Sequence, residues 1–337
     1  MSAETTSLSA KADPAHRGAR LLRYSSTRLL NGLLVALGAY TISYIILYFL
    51  PSDPVEIMLQ GGGDGLYVTP EQVEAARRQY GLDGSPLAQY LTGLLRIASG
   101  SLGDSIQFSA PVAELISRAL PPTLALAVLA GIGAALLGAG IALLAHLTRN
   151  PALRVLLEAL PPLGASVPVF WVGLLLLQAF SFGFRIFPPM GNDSLASLVL
   201  PALALSVPSA ASIAQVLSRN LAEALTQPYC KYARMKGCTH AQVVLRYAFK
   251  NALPPVVGML GVIIGGLLTG AVVTETVFTR EGLGRLTERA VTFQDIPLVQ
   301  GIVLFCAVVF IVVTLVADLL VLLLDPRTRR TLGGVAS

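Results

Sequence analysis

Six long apolar stretches constrain this 337-residue chain more than any other feature of its sequence. A helix needs about 20 apolar residues, each rising about 1.5 Å, to cross the hydrocarbon core of a bilayer. Because 54% of the residues are hydrophobic and only 13% are charged, a water-soluble core cannot account for them. The sequence therefore predicts an all-α membrane protein with six transmembrane helices, at about residues 29–50, 121–146, 160–183, 198–218, 253–275 and 299–324.

The distribution of lysine and arginine between the loops predicts the orientation of these helices. The counts are five and six in segments 1–28 and 219–252, against four, one and three in loops 51–120, 184–197 and 276–298. Because positive charge accumulates in cytoplasmic loops, both termini are expected in the cytoplasm, with the chain in the inner (plasma) membrane. The predicted organisation is a cytoplasmic N-terminal tail at 1–28, a six-helix transmembrane domain at 29–325 and a cytoplasmic C-terminal tail at 326–337. Within that domain, 51–120 is an external loop and 219–252 a cytoplasmic region.

The external loop is too long to be a simple connection between two helices. Three helix starts, each with a hydroxyl-bearing residue shortly before a proline, occur in it, at 69–72, 85–86 and 109–111. Gly81 is expected to end the first of these helices. The loop is therefore predicted to form a small helical cap on the outer face. Two interpretations stay open for this cap: packing over the spans, or a docking surface for an external partner.

Motifs for catalysis and for nucleotide binding are absent from the sequence. No lysine follows a glycine, so the chain cannot contain a phosphate-binding G-x-x-x-x-G-K-[ST] loop. The three histidines form no H-E-x-x-H motif, and no span contains a serine–histidine or paired-aspartate set. The three cysteines lack metal-site spacing, and the basic residues are not gathered into one nucleic-acid-binding patch. The chain is therefore expected to be neither an enzyme nor a nucleic-acid-binding protein, and to hold no metal or cofactor itself.

Charged side chains within the spans would indicate an ion-coupled transporter, because charge in lipid is costly and is retained for function. Only Glu275, at the outer end of the fifth span, and Asp318, near the inner end of the sixth, qualify. We interpret each as a structural pair member or a helix-end residue. The alternative is that Glu275 faces a translocation path.

Segment 226–255 predicts two short helices joined at a glycine. Pro228 suits a first helical turn, and Gly237 suits the left-handed residue that follows a helix. Thr239 and Gln242 have the spacing of a capping box at the start of the second helix. A rigid elbow that is basic on one side indicates a docking element, and the alternative is an amphipathic helix held at the lipid surface.

The second helix of this elbow has its own predicted face. Its apolar or partly apolar positions recur near helical period at Val243, Val244, Tyr247, Ala248 and Asn251. The pair Pro254 and Pro255 is expected to open the fifth span.

The elbow also resembles a known family. Residues 229–237 read Tyr-x-x-Tyr-Ala-Arg-Met-Lys-Gly, and 246–254 read Arg-Tyr-Ala-Phe-Lys-Asn-Ala-Leu-Pro. This resembles the signature loop of binding-protein-dependent ABC permeases, in the form found in the dipeptide/oligopeptide/nickel branch. The general signature is Glu-Ala-Ala, three residues, then Gly, so only Ala233 and Gly237 match it. Further segments that look like this branch are 50–54, 80–83, 100–105, 274–278, 282–285, 295–301 and 325–327.

The resemblance implies the fold and partners of a type I ABC importer permease. In that family two homologous permeases in the membrane lipid work with two ATPase subunits, which use ATP and Mg, and with an extracytoplasmic solute-binding protein. The elbow would then be the coupling helix, seated in a groove of an ATPase subunit. The residues assigned to this coupling role are Tyr229, Lys231, Ala233, Arg234, Lys236, Gly237, Thr239 and Arg246.

The fifth span contains glycine pairs spaced four residues apart, which permit close helix approach. The candidates for lining a translocation path are Gly265, Gly266, Gly270 and Glu275. The resemblance implies import of di- or oligopeptides by an ATP-driven importer. Nickel, glutathione or opine-like solutes are alternatives within the same importer class, because the binding protein sets most of the selectivity. An ion-coupled secondary transporter is the alternative from another class.

Overall fold

The computed structural model describes the backbone of residues 14–49, 57, 69–79 and 84–324, with all side chains of these residues except those of 14–29, 76, 79 and 317–324. The side chain of Asp318, the predicted helix end at Gly81 and the predicted C-terminal tail lie outside the described residues. In the described part, thirteen helices and one isolated β-bridge between Asp104 and Pro111 make up the regular structure.

The helices are numbered α1 to α13 in chain order. They are α1 (Pro14–Tyr48), α2 (Pro70–Gln79), α3 (Pro86–Ala98), α4 (Val112–Leu147), α5 (Pro151–Ser166), α6 (Val169–Leu176), α7 (Ala196–Thr226), α8 (Pro228–Met235), α9 (His240–Gln242), α10 (Phe249–Gly258), α11 (Leu260–Val277), α12 (Leu283–Thr292) and α13 (Ile296–Leu324). Two of them, α6 and α9, continue as π-helices over Leu177–Gly183 and Val243–Ala248.

Five of the described helices, α1, α4, α7, α11 and α13, are each long and apolar enough to cross a membrane. The pair α5 and α6 passes the same test only when its two halves are taken together, with a bend of 107° between them. The described residues therefore contain five such helices, or six spans if this bent pair crosses the membrane as one. The predicted all-α membrane architecture is confirmed, but the segment predicted as one straight helix at 160–183 is bent into two halves. The physical reason is Pro168, whose ring disfavours helical geometry at Val167, and Val167 has φ −90° and ψ 126°.

The second span begins earlier than the sequence predicted. α4 begins at Val112, so the helix start at 109–111 opens the second span and not a separate cap helix. The prolines at its predicted start, Pro121 and Pro122, lie inside α4. Because Pro121 and Pro122 have no N–H, the carbonyls of Ser117 and Arg118 lose their helical partners.

The fifth span and the first helix also begin elsewhere than predicted. Pro254 and Pro255 lie inside α10, and α11 begins at Leu260 after a break at Met259. α1 begins at Pro14, so the second half of the predicted tail is helical. The side of the membrane on which each terminus lies stays a prediction.

Helices α2 and α3 confirm two of the three predicted helix starts in the long loop. Ser85 is the N-cap of α3, and its side chain accepts a hydrogen bond from the first turn. α3 is held against α1 by polar contacts. The Tyr44 hydroxyl donates to the Pro86 carbonyl at 2.8 Å, and the Thr41 and Tyr90 hydroxyls lie 2.9 Å apart. The cap helix α3 is therefore fixed to the first span.

The largest apolar core lies where α4 packs on α7. Buried residues of α4 recur four positions apart along one face, at Leu126, Ala130, Ala134, Gly138 and Ala142. A Cβ atom on Gly138 would lie 2.6 Å from the Ala210 carbonyl oxygen and 2.8 Å from the Ile213 Cβ of α7. Close packing of two helix backbones stabilises helix association in lipid. Burial of apolar surface cannot do so there, because lipid is itself apolar.

We expect Gly138→Ala to lower the stability of the chain, because its new methyl group would overlap the Ala210 carbonyl. Overpacking of this kind costs about 1–3 kcal/mol. The matched control is Gly140→Ala, at a glycine of the same helix with no heavy atom within 4 Å of the added Cβ. This control should be neutral or stabilising by about 1 kcal/mol, because alanine favours helix. Thermal unfolding of both variants in detergent measures the difference, and equal melting temperatures would contradict the packing.

Candidate functional site

The elbow, defined as Pro228–Ala248, connects α7 to α10 through a glycine turn. Gly237 follows α8 with φ of +85°, in the left-handed conformation that favours glycine. The Thr239 N–H donates to the Gln242 Oε1 at 2.9 Å, and the Gln242 N–H donates to the Thr239 Oγ1 at 3.3 Å. The predicted left-handed glycine and the predicted capping box are both confirmed. These local bonds fix the angle between the two halves of the elbow.

Helix α8 has one anchored face and one exposed face. Cys230 and Ala233, three residues apart, are buried in the core formed by α4, α7 and α11. Burial raises the pKa of the Cys230 thiol, against the opposing effect of Arg234, so the buried sulfur is a neutral packing group. The exposed face carries apolar and basic side chains, namely Tyr229, Lys231, Tyr232, Arg234, Met235 and Lys236. The apolar side chain of Met235 is 78% exposed.

The second half of the elbow turns as a π-helix over Val243–Ala248. In a π-helix each N–H bonds to the carbonyl five residues earlier. Val243 and Ala248, the first and last residues of this range, are both buried. Tyr247 and Asn251, which the sequence pattern placed on the same face, are exposed instead. The prediction of a regular helical period was wrong here because the wider turn shifts the register. Arg246 lies on the exposed side.

The elbow is strongly basic. It contains four lysine and arginine residues, Lys231, Arg234, Lys236 and Arg246, and no acidic residue. The Lys236 ammonium group lies 4.6 Å from the centroid of the Tyr232 ring, so a cation and an aromatic face are presented together. A surface with this charge attracts a partner surface that is acidic.

A histidine contact that sequence analysis missed ties the elbow to a second helix. The His240 Nε2 lies 2.7 Å from the backbone carbonyl oxygen of His146, near the end of α4. The ring of His146 itself bonds the Ala142 carbonyl of its own helix at 2.9 Å. The elbow is therefore held by α4 as well as by α7 and α10. Nothing in the local pattern could have indicated this contact, because its partners are 94 residues apart.

Glu275 lies at the other end of α11 and is fully buried. Its Oε1 accepts a hydrogen bond from the Thr123 hydroxyl at 2.6 Å, and its Oε2 accepts from the N–H groups of Gly284 at 2.7 Å and Arg285 at 3.2 Å. The Thr123 Oγ1 in turn accepts from the Leu283 N–H at 2.7 Å. This geometry favours the helix-end interpretation of Glu275, while a place in a translocation path stays a prediction.

A buried arginine follows Glu275 in the chain. The Arg280 guanidinium donates through Nη1 to the carbonyl oxygens of Gly191 at 2.9 Å and Ser197 at 3.3 Å. Burial lowers the pKa of Arg280, and the nearby Glu275 acts in the opposite direction. These bonds connect the turn after α11 to the beginning of α7.

The candidate glycines of α11 face three different surroundings. A Cβ atom on Gly265 would be in ordinary contact with α13, at 3.8 Å from the nearest ring atom. On Gly270 it would lie 2.5 Å from the Leu205 Cδ1 of α7, so this glycine permits close packing. On Gly266 it would meet no heavy atom within 4 Å. Only the last of these three faces open space.

Gly266 lines a cavity of about 200 Å³ between α6, α7 and α11. The other residues around it are Val169, Leu205, Pro208, Ser209, Ser212, Met259, Val262 and Ile263. Two of them lie at breaks between helices, and a third is a proline within a helix. Val169 follows the bend before α6, Pro208 lies inside α7, and Met259 separates α10 from α11. Interrupted backbone at membrane depth is tolerated where protein buries it or where it lines a cavity.

The predicted site residues therefore form two groups. α11 has 18 residues and is about 27 Å long, so the elbow and Glu275 lie near opposite ends of the domain. Among the described residues, no group of three or more His, Cys, Asp or Glu side chains could hold a metal ion.

Comparison with known families accounts for this arrangement. The sequence profile of the binding-protein-dependent transport system inner membrane component matches residues 127–330, which is more than half of the chain. The chain belongs to this family. The family match begins in the apolar part of α4, includes the elbow and all of α13, and ends at residue 330. This inner membrane component is a multi-pass permease subunit and not itself the catalytic part of its transport system.

Relatives of this permease align over nearly its whole length. The glutathione transport system permease protein of Salmonella typhimurium is 33% identical over 309 residues, which cover 92% of this chain and 99% of the relative. A protein of Brucella suis biovar 1 named as a peptide permease is 34% identical over 323 residues, which cover 92% of this chain and 100% of that protein. The predicted branch of the ABC importers is therefore confirmed.

Solved structures show the same fold. The MetNI methionine ABC transporter in an inward-facing conformation matches with a TM-score of 0.55 and 19% identity, over 63% of this chain and 96% of that chain. A second crystal form of that transporter matches with a TM-score of 0.54 and 21% identity. The predicted type I importer permease fold is confirmed.

We expect His240→Ala to loosen the elbow, because it removes the bond to the His146 carbonyl. Hydrogen bonds of this kind contribute about 1 kcal/mol, so amides of residues 237–242 should exchange with solvent about fivefold faster. The matched control is His146→Ala, which keeps the backbone carbonyl that accepts the bond. Hydrogen–deuterium exchange of the purified chain distinguishes the two variants, and equal exchange rates would show that the contact is not formed in solution.

Proposed function

We propose that this chain is one of two pore-forming permease subunits of an ATP-driven importer for short peptides, including peptide-like solutes such as glutathione. The observation that carries the proposal is the elbow, with one face anchored in the core and the other exposed, apolar and basic. The names of relatives that align with 92% of the chain support peptides as the substrate class. Substrate choice rests mainly with a solute-binding protein outside the membrane.

The energy comes from partner subunits. This chain has no phosphate-binding loop, so ATP and Mg are bound by two ATPase subunits against which the elbow docks. The exposed tyrosines and Met235 enter an apolar groove, and Lys231, Arg234 and Lys236 meet acidic groups at its rim. Because α8 is anchored through Cys230 and Ala233, movement of the ATPase surface is transmitted to α4 and α7.

The orientation follows from the positive charge. The elbow and both termini face the cytoplasm, and α2 and α3 face the binding protein on the external side. The path between the two sides alternates between inward-open and outward-open states, and a second homologous permease completes it. Gly266 and the cavity beside it belong to this path.

The ion-coupled alternative draws no support from the geometry of Glu275. Both of its carboxylate oxygens accept hydrogen bonds from the chain itself, and the side chain is fully buried. A proton or ion relay needs a carboxylate that exchanges its partner during transport.

We expect Gly237→Asp to abolish uptake while the chain still inserts into the membrane. The aspartate would be strained at φ +85° and would place a negative charge after the C-terminal end of α8, against the helix dipole. No heavy atom lies within 4 Å of the added Cβ, so the fold itself has room for the change. Uptake of radiolabelled glutathione and of a radiolabelled dipeptide into cells, measured separately, provides the readout.

The control for Gly237→Asp is Cys238→Ser, a small change at the next residue, which should keep most of the transport. Normal expression of both variants is checked in membrane fractions. If Gly237→Asp transports at the wild-type rate, the elbow is not the coupling element, and the interpretation as a lipid-surface helix gains ground.

We expect Gly266→Leu to block uptake without unfolding the chain, because the new side chain would occupy the cavity. The matched control is Gly140→Leu, at a second glycine with no heavy atom within 4 Å of its Cβ position but away from the cavity. ATPase activity of the assembled importer is measured beside uptake. Full uptake by Gly266→Leu would exclude this cavity from the path.

A further inference from the structure

Glu275 caps the N-terminus of α12, whose own N-cap residue has no side chain. The N-cap residue of α12 is Gly282, which has no side chain to accept a hydrogen bond. The first three N–H groups of α12 are instead satisfied by side chains of other helices. Leu283 donates to the Thr123 hydroxyl of α4, and Gly284 and Arg285 donate to the Glu275 carboxylate of α11. The start of α12 is therefore held by two membrane-spanning helices at once.

Two glycines bring α12 directly onto α11. A Cβ atom on Gly282 would collide with the Glu275 carboxylate. A Cβ atom on Gly284 would lie 2.5 Å from the Cα of Val272, on the backbone of α11. The first turn of α12 thus has no room to slide along α11 while these contacts hold. The pattern Gly282-Leu283-Gly284 in the sequence is explained by this close approach.

The capped helix lies between the two large apolar cores of the molecule. The first core contains residues of α4, α7, the elbow and α11, including Leu267 and Ala271. The second contains the start of α4, α12 and α13, including Leu283 and Leu298. α12 packs its apolar face in the second core, but its N-terminus is bonded to Glu275 at the edge of the first. The hydrogen bonds of Glu275 therefore connect α11, which belongs to the first core, to α12, which belongs to the second.

We propose that Glu275 is a positioning residue that locks α12 to the span α11, so that movement arriving from the elbow shifts both cores together. This inference rests on the proposed transport function and adds to it a residue that joins α12 to α11. The bonds suit this role because a carboxylate at a helix N-terminus forms charge-assisted hydrogen bonds with a favourable dipole. In a buried setting, removing one partner leaves the other unsatisfied.

The first test needs only the purified full-length chain in detergent. The variants are Glu275→Gln, which removes the charge at nearly constant shape, and Thr123→Val, which removes the hydroxyl. Amides 283–285 should exchange with deuterium about tenfold faster in both variants, since charge-assisted bonds are the stronger class. The matched control is Thr274→Val, at a buried threonine whose hydroxyl bonds to the Gly270 carbonyl of its own helix. Unchanged exchange in both test variants would overturn the inference, because the cap would not exist.

The second test asks whether the cap transmits movement. The importer is assembled from this chain with its native permease, ATPase and binding-protein partners in proteoliposomes. For Glu275→Gln and Thr123→Val we expect basal ATPase activity within about twofold of wild type, but at least about a tenfold loss of its stimulation by loaded binding protein. Thr274→Val should keep the stimulation.

The outcomes of the second test separate the two proposals. If the variants lose the cap by hydrogen exchange but keep full stimulation, the cap is only structural and the inference is overturned. A parallel fall of basal and stimulated activity, with a lower melting temperature, also overturns it, because that pattern reports general destabilisation. If the wild-type assembly itself shows no stimulated hydrolysis, the proposed transport function fails.

Discussion

The lack of water in the bilayer core determines where this chain can bend, because backbone N–H and C=O groups there must find partners within the protein. In a membrane, every interrupted turn of helix must find another partner within the protein or border a polar space. The breaks at Pro168 and Met259, and Pro208 inside α7, obey this constraint, because the residues at or beside them surround one cavity. The long uninterrupted helices α4 and α7 pack through small residues at close range and form the rigid frame around these breaks.

Two buried carboxylates meet the same constraint at the ends of helices. Glu275 caps α12 from a neighbouring helix, and Asp295 caps the start of α13 by accepting from the Leu298 N–H at 3.1 Å. Asp295 also accepts from the Ser105 hydroxyl at 2.5 Å and from the Gln107 N–H at 3.0 Å. Each carboxylate therefore satisfies free N–H groups and ties together segments that are far apart in the chain. Both are fully buried, so these hydrogen bonds replace the ones that water would otherwise form with them.

The elbow could be predicted in detail because its signals are local. A proline in the first turn, a left-handed glycine and a capping box each depend on residues within a few positions of one another, and Gly237 and Thr239 have the predicted conformations. Its register after Gln242 could not be predicted, because a π-helix replaces the regular turn. The contact of His240 with the end of α4 was equally hidden. Both depend on how the elbow packs against other helices.

The sequence by itself determined the membrane class and the branch of the permease family, because hydrophobic length and short motifs are properties of contiguous residues. The tertiary structure alone decided the 107° bend in the third span, which glycine of α11 borders open space, and the partners of Glu275. The physical reason is distance along the chain. Thr123 and Glu275 are separated by 152 residues, and no periodicity or local propensity specifies that their oxygens meet. Only the packing of α4 against α11 and α12 brings them together.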